Sequence, residues 1–428
     1  MKDSGIPWIG EIPKEWGLYQ TSTIFHEHKD KNIGLKNNNL LSLSYGKIKR
    51  KDINTNEGLL PQSFETYNVI KSGDIVFRLT DLQNDKRSLR TGLCLEDGII
   101  TSAYVTLRAN KTISPSFYHY LYHIYDVCKV FYGMGDGVRQ GMNWDDVRKI
   151  VIFCPSLEEQ QRIAEFLDRK CGEIDEAIAL QEEFIEELKA YKQSVITEAV
   201  TRGLNPNVKI KRCGIELIDC IPIHWKEVRF YKSNIIRGRL GWKGLKAEEY
   251  IESGYPFLSA FNIINDKLSW ENLNFISQER YDESPEIKLS VGDLLIVKDG
   301  AGIGKCARID KLPLGEATVN SSLAVITPRE GLYYAFLYYY MLSVPFQHII
   351  WLLKIGMGVP HLTQENMHDI DMTCPPFDEQ QQIADYLDNK CSEIDNLIAI
   401  KQQKIEELKD YKKSIIYEYV TGKKECIF

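Results

Sequence analysis

The segment from Cys154 to Thr201 returns, without a gap, from Cys374 to Thr421, and 28 of the 48 paired positions are identical. A match this long and ungapped marks an internal duplication. Its offset of 220 residues is about half of the 428-residue chain, which describes a tandem pair of large units and not a solenoid of short repeats. Any fold for this sequence must therefore use the same element twice.

That element reads as helix. Leu157 to Thr201 contains no proline and one glycine, Gly172, and is dominated by Glu, Gln, Lys, Leu, Ile and Ala, mostly strong helix formers. Ile174, Ile178, Ile185, Leu188 and Val195 follow one another at spacings of 4, 7, 3 and 7, and Ile394, Ile398, Ile405, Leu408 and Ile415 match them in the second copy. This is a narrow coiled-coil seam, interrupted by Gln181 and Lys192 in one copy and Lys401 and Lys412 in the other. Polar interruptions of a seam cost stability and fix register and partner. At about 1.5 Å per residue such a helix runs to roughly 66 Å if unbroken, with Gly172 and Ser392 as places where it can bend. The spacing predicts that the two copies pair antiparallel within the chain.

The helices separate two larger stretches, giving expected boundaries of 1–155, 156–203, 204–375 and 376–428. Each large stretch opens on Ile-Pro-x-x-Trp (Trp16 and Trp225) and closes on the Cys-Pro that precedes a helix. Between them, short strand-like runs alternate with turns. Gly73-Asp74 and Gly292-Asp293 start equivalent strands, an aromatic helix follows (113–132 and 332–350), and glycine-rich turns close each stretch at 133–137 and 356–358. The expected fold class is α/β (α+β): two similar globular domains joined by two long antiparallel helices, a tandem duplication. Outside the helices few residues match between the halves, so the helices do one job twice while the domains do related but different jobs.

A net charge of −7 argues against nucleic acid until it is divided. Residues 16–155 carry 18 basic and 14 acidic side chains, a balance of +4, whereas 156–203 carry 6 and 12, a balance of −6. The acidity sits on the helices, and local field matters more than the total. No apolar run approaches the roughly 20 residues of a membrane span, and the N-terminus has no leader pattern. Ten scattered cysteines without a CxxC pair, four of them repeat mates in two pairs (Cys154/Cys374, Cys171/Cys391), suit buried thiols in a reducing cytoplasm.

The helix openings EEQQRIAEFLDRKCGEID and DEQQQIADYLDNKCSEID, the two Pro-x-x-Trp segments, and the endings GMGDGVRQGMNWDDV and GMGVPHLTQENM carry a resemblance. In these residues the chain is similar, over essentially its whole length, to the specificity subunits of Type I DNA restriction–modification systems. The resemblance implies two target recognition domains, each grasping half of a split target in double-stranded DNA, with the paired helices as spacer. It implies partners as well. Two modification (methyltransferase) subunits would methylate adenine with S-adenosylmethionine, and restriction/translocase subunits would use ATP and Mg2+. No cofactor and no catalysis would belong to this chain.

The residues themselves offer no enzyme site. Gly300 to Cys306 has a phosphate-loop look, but Asp299 stands at the first position of the motif and Cys306 where a hydroxyl is required. A turn between two strands is the simpler reading. His119 and His123 have metal-ligand spacing yet lie among tyrosines, and a helix face accounts for them. Candidate DNA contacts are basic and amide residues on turns, because base edges are read by such groups. In the first domain these are Lys49 and Arg50, Lys86, Arg87 and Arg90, and Arg139, Gln140 and Asn143. In the second they are Arg237, Arg239, Lys243, Lys298, Lys305, Asn320, His361 and Gln364. Three alternatives stand beside this reading: a protein-interaction scaffold without DNA, a fused or stand-alone modification enzyme, against which the missing catalytic and cofactor motifs argue, and a specificity subunit of a methylation-only system. Divergence of the two domains predicts an asymmetric target.

Overall fold

The structure is a computed structural model that describes residues 1–53, 61, 63–82, 89–134, 141–239, 245, 247–300, 302–354 and 361–426. The chain packs as two compact units, Met1–Glu182 with Gln403–Phe428, and Glu183–Gln402. The long helices run over Leu157–Arg202 and Phe377–Val420, so each gives its first half to one unit and its second half to the other. Grouping by packing thus cuts through the helices, where grouping by sequence pattern separates helix from domain.

Within the first unit the helical segments are antiparallel. The Phe166 and Tyr419 rings are 4.3 Å apart, and Lys412 Nζ lies 2.6 Å from Asp175. In the second unit Lys401 sits 4.9 Å over the Phe184 ring, and Lys192 reaches Asp395 at 2.6 Å. The seam residues Ile174, Ile185, Ile394, Ile405 and Ile415 are buried, and Ile178, Leu188, Val195, Ile398 and Leu408 half-buried. The polar interruptions at Lys192 and Lys412 each meet a carboxylate of the opposite helix, which is how a charged residue inside a seam specifies register.

Both units contain the same four-stranded antiparallel sheet. In the first, β1 (Phe25–Glu27) and a hairpin of β2 (Leu41–Ser44) and β3 (Lys47–Arg50) precede β4 (Ile75–Phe77), β5 (Thr91–Leu93) and β6 (Val105–Ala109). The sheet order is β1-β6-β4-β5. In the second, β7 (Asn234–Arg237) and the hairpin β8 (Ile263–Ile264) and β9 (Lys267–Leu268) precede β10 (Leu294–Val297), β11 (Cys306–Arg308) and β12 (Leu323–Pro328). Its order, β7-β12-β10-β11, is the same. Ile75, Val76 and Phe77, like Leu294 to Val297, are inaccessible on both faces, which explains why these strands read as unbroken apolar runs. Gly300 and Gly302 to Lys305 lie in the β10–β11 connection, a turn between strands.

One helix, α1 (Pro115–Val127), covers the first sheet. The expected aromatic helix of the second unit is instead two, α2 (Tyr334–Leu342) and α3 (Val344–Lys354), bent by 63°. Pro345 supplies no N–H for the turn before it, and Ser343 Oγ donates to the Tyr340 carbonyl at 2.6 Å. Among the described residues no single helix is long and apolar enough to cross a membrane. Trp16 and Trp225 are buried at equivalent places, each beside the strand that pairs with the Cys-Pro segment, Gly17 opposite Cys154 and Lys226 opposite Cys374. Each long helix ends on a glycine with left-handed φ, Gly203 at +76° and Gly422 at +68°, lying against Trp225 and Trp16 respectively. A side chain there would meet both the backbone preference and the indole.

Candidate nucleic-acid interface

At the tip of the second sheet, the backbone pins two loops together. Leu362 N–H donates to the Lys298 carbonyl at 2.9 Å, and Asp299 forms an isolated bridge with His361. The Asp299 carboxylate also takes a short contact from His361 Nδ1, and Lys298 Nζ stands 3.9 Å from its other oxygen. Gln347 Nε2 donates to the Gly304 carbonyl at 3.0 Å and holds the turn that carries the exposed Lys305. The Gln364 amide lies so close to Gly238 that an added Cβ would stand 2.6 Å from its nitrogen. Asn320 turns its oxygen to Ser322 N–H at 3.0 Å, and Ser322 in turn accepts from Lys298 N–H at 2.9 Å. Lys298, Lys305, Asn320, His361 and Gln364 are thereby gathered from three sequence segments at one end of one sheet. The set offers ammonium, imidazole and amide groups, the chemistry that reads base edges and grips phosphates.

The first unit repeats the pinning with other residues. Met142 N–H donates to the Leu79 carbonyl at 3.0 Å, and Leu79 follows β4 as Lys298 follows β10. Asn143, exposed, caps the short helix Trp144–Val147 in a reciprocal box with Asp146, as Thr363 caps Gln364–His368. Leu79 thus stands where the second unit has Lys298, and Trp144 where it has Gln364. Leu79 is buried in the core, so the two tips of one construction differ in what they show: Gly141 and Trp144 in the first unit, Lys298, His361 and Gln364 in the second.

The family described as "Type I restriction modification DNA specificity domain" matches residues 94–190 and 241–410. The chain belongs to this family. It is 26% identical, over 76% of its length and 74% of the relative's, to the Type I restriction enzyme MjaVIII specificity subunit of Methanocaldococcus jannaschii. To the putative MjaX specificity subunit of the same organism it is 25% identical over 97% of its length and 95% of the relative's. A solved structure titled for complex assembly and conformational transition of the type I R-M system aligns with a TM-score of 0.71, 19% identity and coverage of 96% of this chain and 99% of that one. The HsdS subunit of Thermoanaerobacter tengcongensis aligns with a TM-score of 0.50 and 18% identity over 99% and 100% of the two chains. These likenesses support the two-domain fold with long helices, and the family assigns the specificity subunit the recognition of a DNA target.

Several expected contacts of this specificity subunit are placed elsewhere, and the physical reasons are specific. Arg90 is buried, its guanidinium donating to the Thr80 and Asp81 carbonyls at 2.9 and 3.3 Å, so it braces the loop instead of facing out. Arg237 donates to buried Asp293 at 2.7 Å and to the carbonyls of Glu286 and Lys288, which makes it the counterion of a core carboxylate. The matching carboxylate of the first unit, Asp74, is held by Arg108 at 2.6 Å. The Arg239 side chain is largely enclosed, with Glu283 at 3.8 Å. Arg50 clasps Glu96, and exposed Lys49 shares its strand β3, away from the pinned tip. The His119 and His123 rings lie 6.4 Å apart, tilted by 45°, within the first unit. Lys86, Arg87, Arg139, Gln140 and Lys243 lie outside the described residues. Sequence reasoning missed Asp299, which no composition signal marks, because its role depends on His361 arriving 62 residues later.

Proposed function

We propose that this specificity subunit reads an asymmetric, two-part DNA target, one half with each pinned tip, and that its long helices present the bound site to modification and restriction subunits. The observation that carries this is the repetition of one sheet and one pinned loop pair with unlike residues, Lys298, His361 and Gln364 in one unit and Gly141 and Trp144, over a buried Leu79, in the other. Equal frames with unequal tips suit two unequal half-sites. The chain contributes recognition only, and the methyl donor and ATP are bound by its partners.

The docking of partners on the helices is supported by apolar side chains exposed at repeat-equivalent positions. Leu180 and Ile400 are 49% and 61% exposed, and Tyr191 and Tyr411 51% and 55%. A helix face that shows apolar residues at the same places twice, on an acidic background that repels DNA, suits two copies of one protein partner. The seam of each helix pair holds the frame, and its length sets the gap between half-sites.

Co-expression with the adjacent modification subunit, followed by single-molecule sequencing of adenine methylation, tests the reading. A single split motif with a fixed gap and two unlike halves is expected, and binding of that site should weaken steeply with salt. A palindromic motif, or a stable complex that methylates nothing new, would overturn it.

A further inference from the structure

The residues that the two long helices kept in common are the ones that hold the two domains that diverged. Gln160 and Gln380 are repeat mates. Gln160 accepts from Ser114 N–H at 3.0 Å and donates to the Pro155 carbonyl at 2.9 Å, and Gln380 accepts from Tyr333 N–H at 2.7 Å and donates to the Pro375 carbonyl at 2.9 Å. Asp168 and Asp388 are repeat mates too. The Tyr120 hydroxyl of α1 donates to Asp168 at 2.8 Å, and the Tyr339 hydroxyl of α2 donates to Asp388 at 2.6 Å.

The third pair, Asp175 and Asp395, receives two lysines each. One comes from the opposite helix, Lys412 or Lys192, at 2.6 Å in both cases. The other comes from the domain's hairpin, Lys47 of β3 at 3.8 Å or Lys267 of β9 at 2.8 Å. These hairpins share no obvious sequence, yet both turn through two residues with positive φ, Tyr45-Gly46 and Asn265-Asp266. Such two-residue turns fix the facing of the next residue, and in both hairpins that residue is the lysine.

In the second unit these groups border a cleft of about 930 Å³ lined by Lys192, Lys267, Tyr339, Asp388 and Asp395. Apolar packing does not fill the space between hairpin and helix there, so polar links span it. Burial alone would raise the Asp395 carboxyl, but Lys192 and Lys267 outweigh it and hold it below the usual carboxylate range.

We propose that Tyr120 and Lys47 in one unit, and Tyr339 and Lys267 in the other, are positioning residues that set how each recognition domain sits on its helix segments, and thereby the gap in base pairs that the protein accepts. The inference rests on the two-part target proposed above. It assigns a specificity role to residues that touch neither DNA nor the reacting adenine. It also explains why Asp168, Asp175 and their mates stay identical while the domains drift: one socket must receive two different plugs.

The test uses the full chain with its modification subunit and reads the gap of every methylated site. Three chains are compared: the unaltered one, a Tyr339→Phe/Lys267→Ala double variant, and Lys267→Arg. The unaltered chain gives one gap. The double variant is expected to keep both half-site sequences but place at least a tenth of its methylation on sites whose gap is one base pair longer or shorter. Lys267→Arg, which keeps the charge, should return to the single gap. A double variant that methylates only the original gap, at whatever level, overturns the proposal, because simple destabilisation lowers methylation without changing spacing. Absence of any split motif with the unaltered chain overturns the two-part reading and this inference with it.

Discussion

His119 and His123 stand one turn apart on α1, and burial pulls their pKa values down to about 3 and about 4. His119 Nδ1 is enclosed with no hydrogen-bond partner among the described residues, and His123 faces the Lys412 ammonium. Both rings are therefore neutral in the folded protein at neutral pH, whereas in the unfolded chain they protonate near 6.5. A base whose folded pKa is depressed draws protons to the unfolded state as pH falls, so stability is complete above about 6.5 and declines toward about 4. Between pH 7 and 5 the loss should reach about 2 kcal/mol per histidine. Urea unfolding at the two pH values checks this, with a His119→Gln/His123→Gln variant as control. The variant should show a much flatter dependence. An equal dependence would mean that the two rings are hydrated in the folded state.

At the scale of strands, the two sheets solve one electrostatic problem with different elements. Asp74 and Asp293 begin β4 and β10, are buried, and each needs one arginine. In the first unit that arginine is Arg108 of β6, beside His28, whose pKa is lowered by burial and by Arg108. In the second, strand register puts Thr327 of β12 where Arg108 would be, and Arg237 of β7 where His28 would be. The arginine has changed strands while the carboxylate stayed. Arg237→His alone should cost about 3 kcal/mol, the scale of breaking a buried pair. Adding Thr327→Arg should recover at least half of that in chemical denaturation, and no recovery would show that the first unit's solution does not fit the second frame. This exchange also explains what the sequence could not show. The long helices were legible because a seam repeats every seven residues and local propensity agrees with it. Arg90 and Arg237 were read as DNA contacts because a basic residue near a turn looks the same whether it faces solvent or a distant carboxylate. The hairpin lysines Lys47 and Lys267 were invisible as a pair because their hairpins share turn geometry and no residue pattern.

At the scale of the whole chain, each recognition domain owns its core and its tip. Among the described residues, Trp16, Phe77 and Tyr122 belong to one cluster and Trp225, Ile296 and Tyr340 to another. Base contacts discriminate by about 1–3 kcal/mol for each good bidentate pair, while phosphate contacts add affinity without sequence. Replacing His361 and Gln364 together by Ala should therefore relax one half of the methylated motif and leave the other half as strict as before. Replacing Lys298 by Ala should lower occupancy of all sites and reduce the salt slope by roughly one unit if it meets a phosphate, with both halves still strict. Methylation maps from the three chains, collected at matched expression, separate these outcomes. If both halves relax together in the His361/Gln364 variant, the domains do not read independently, and the duplicated frame would have to be understood as one composite reader instead of two.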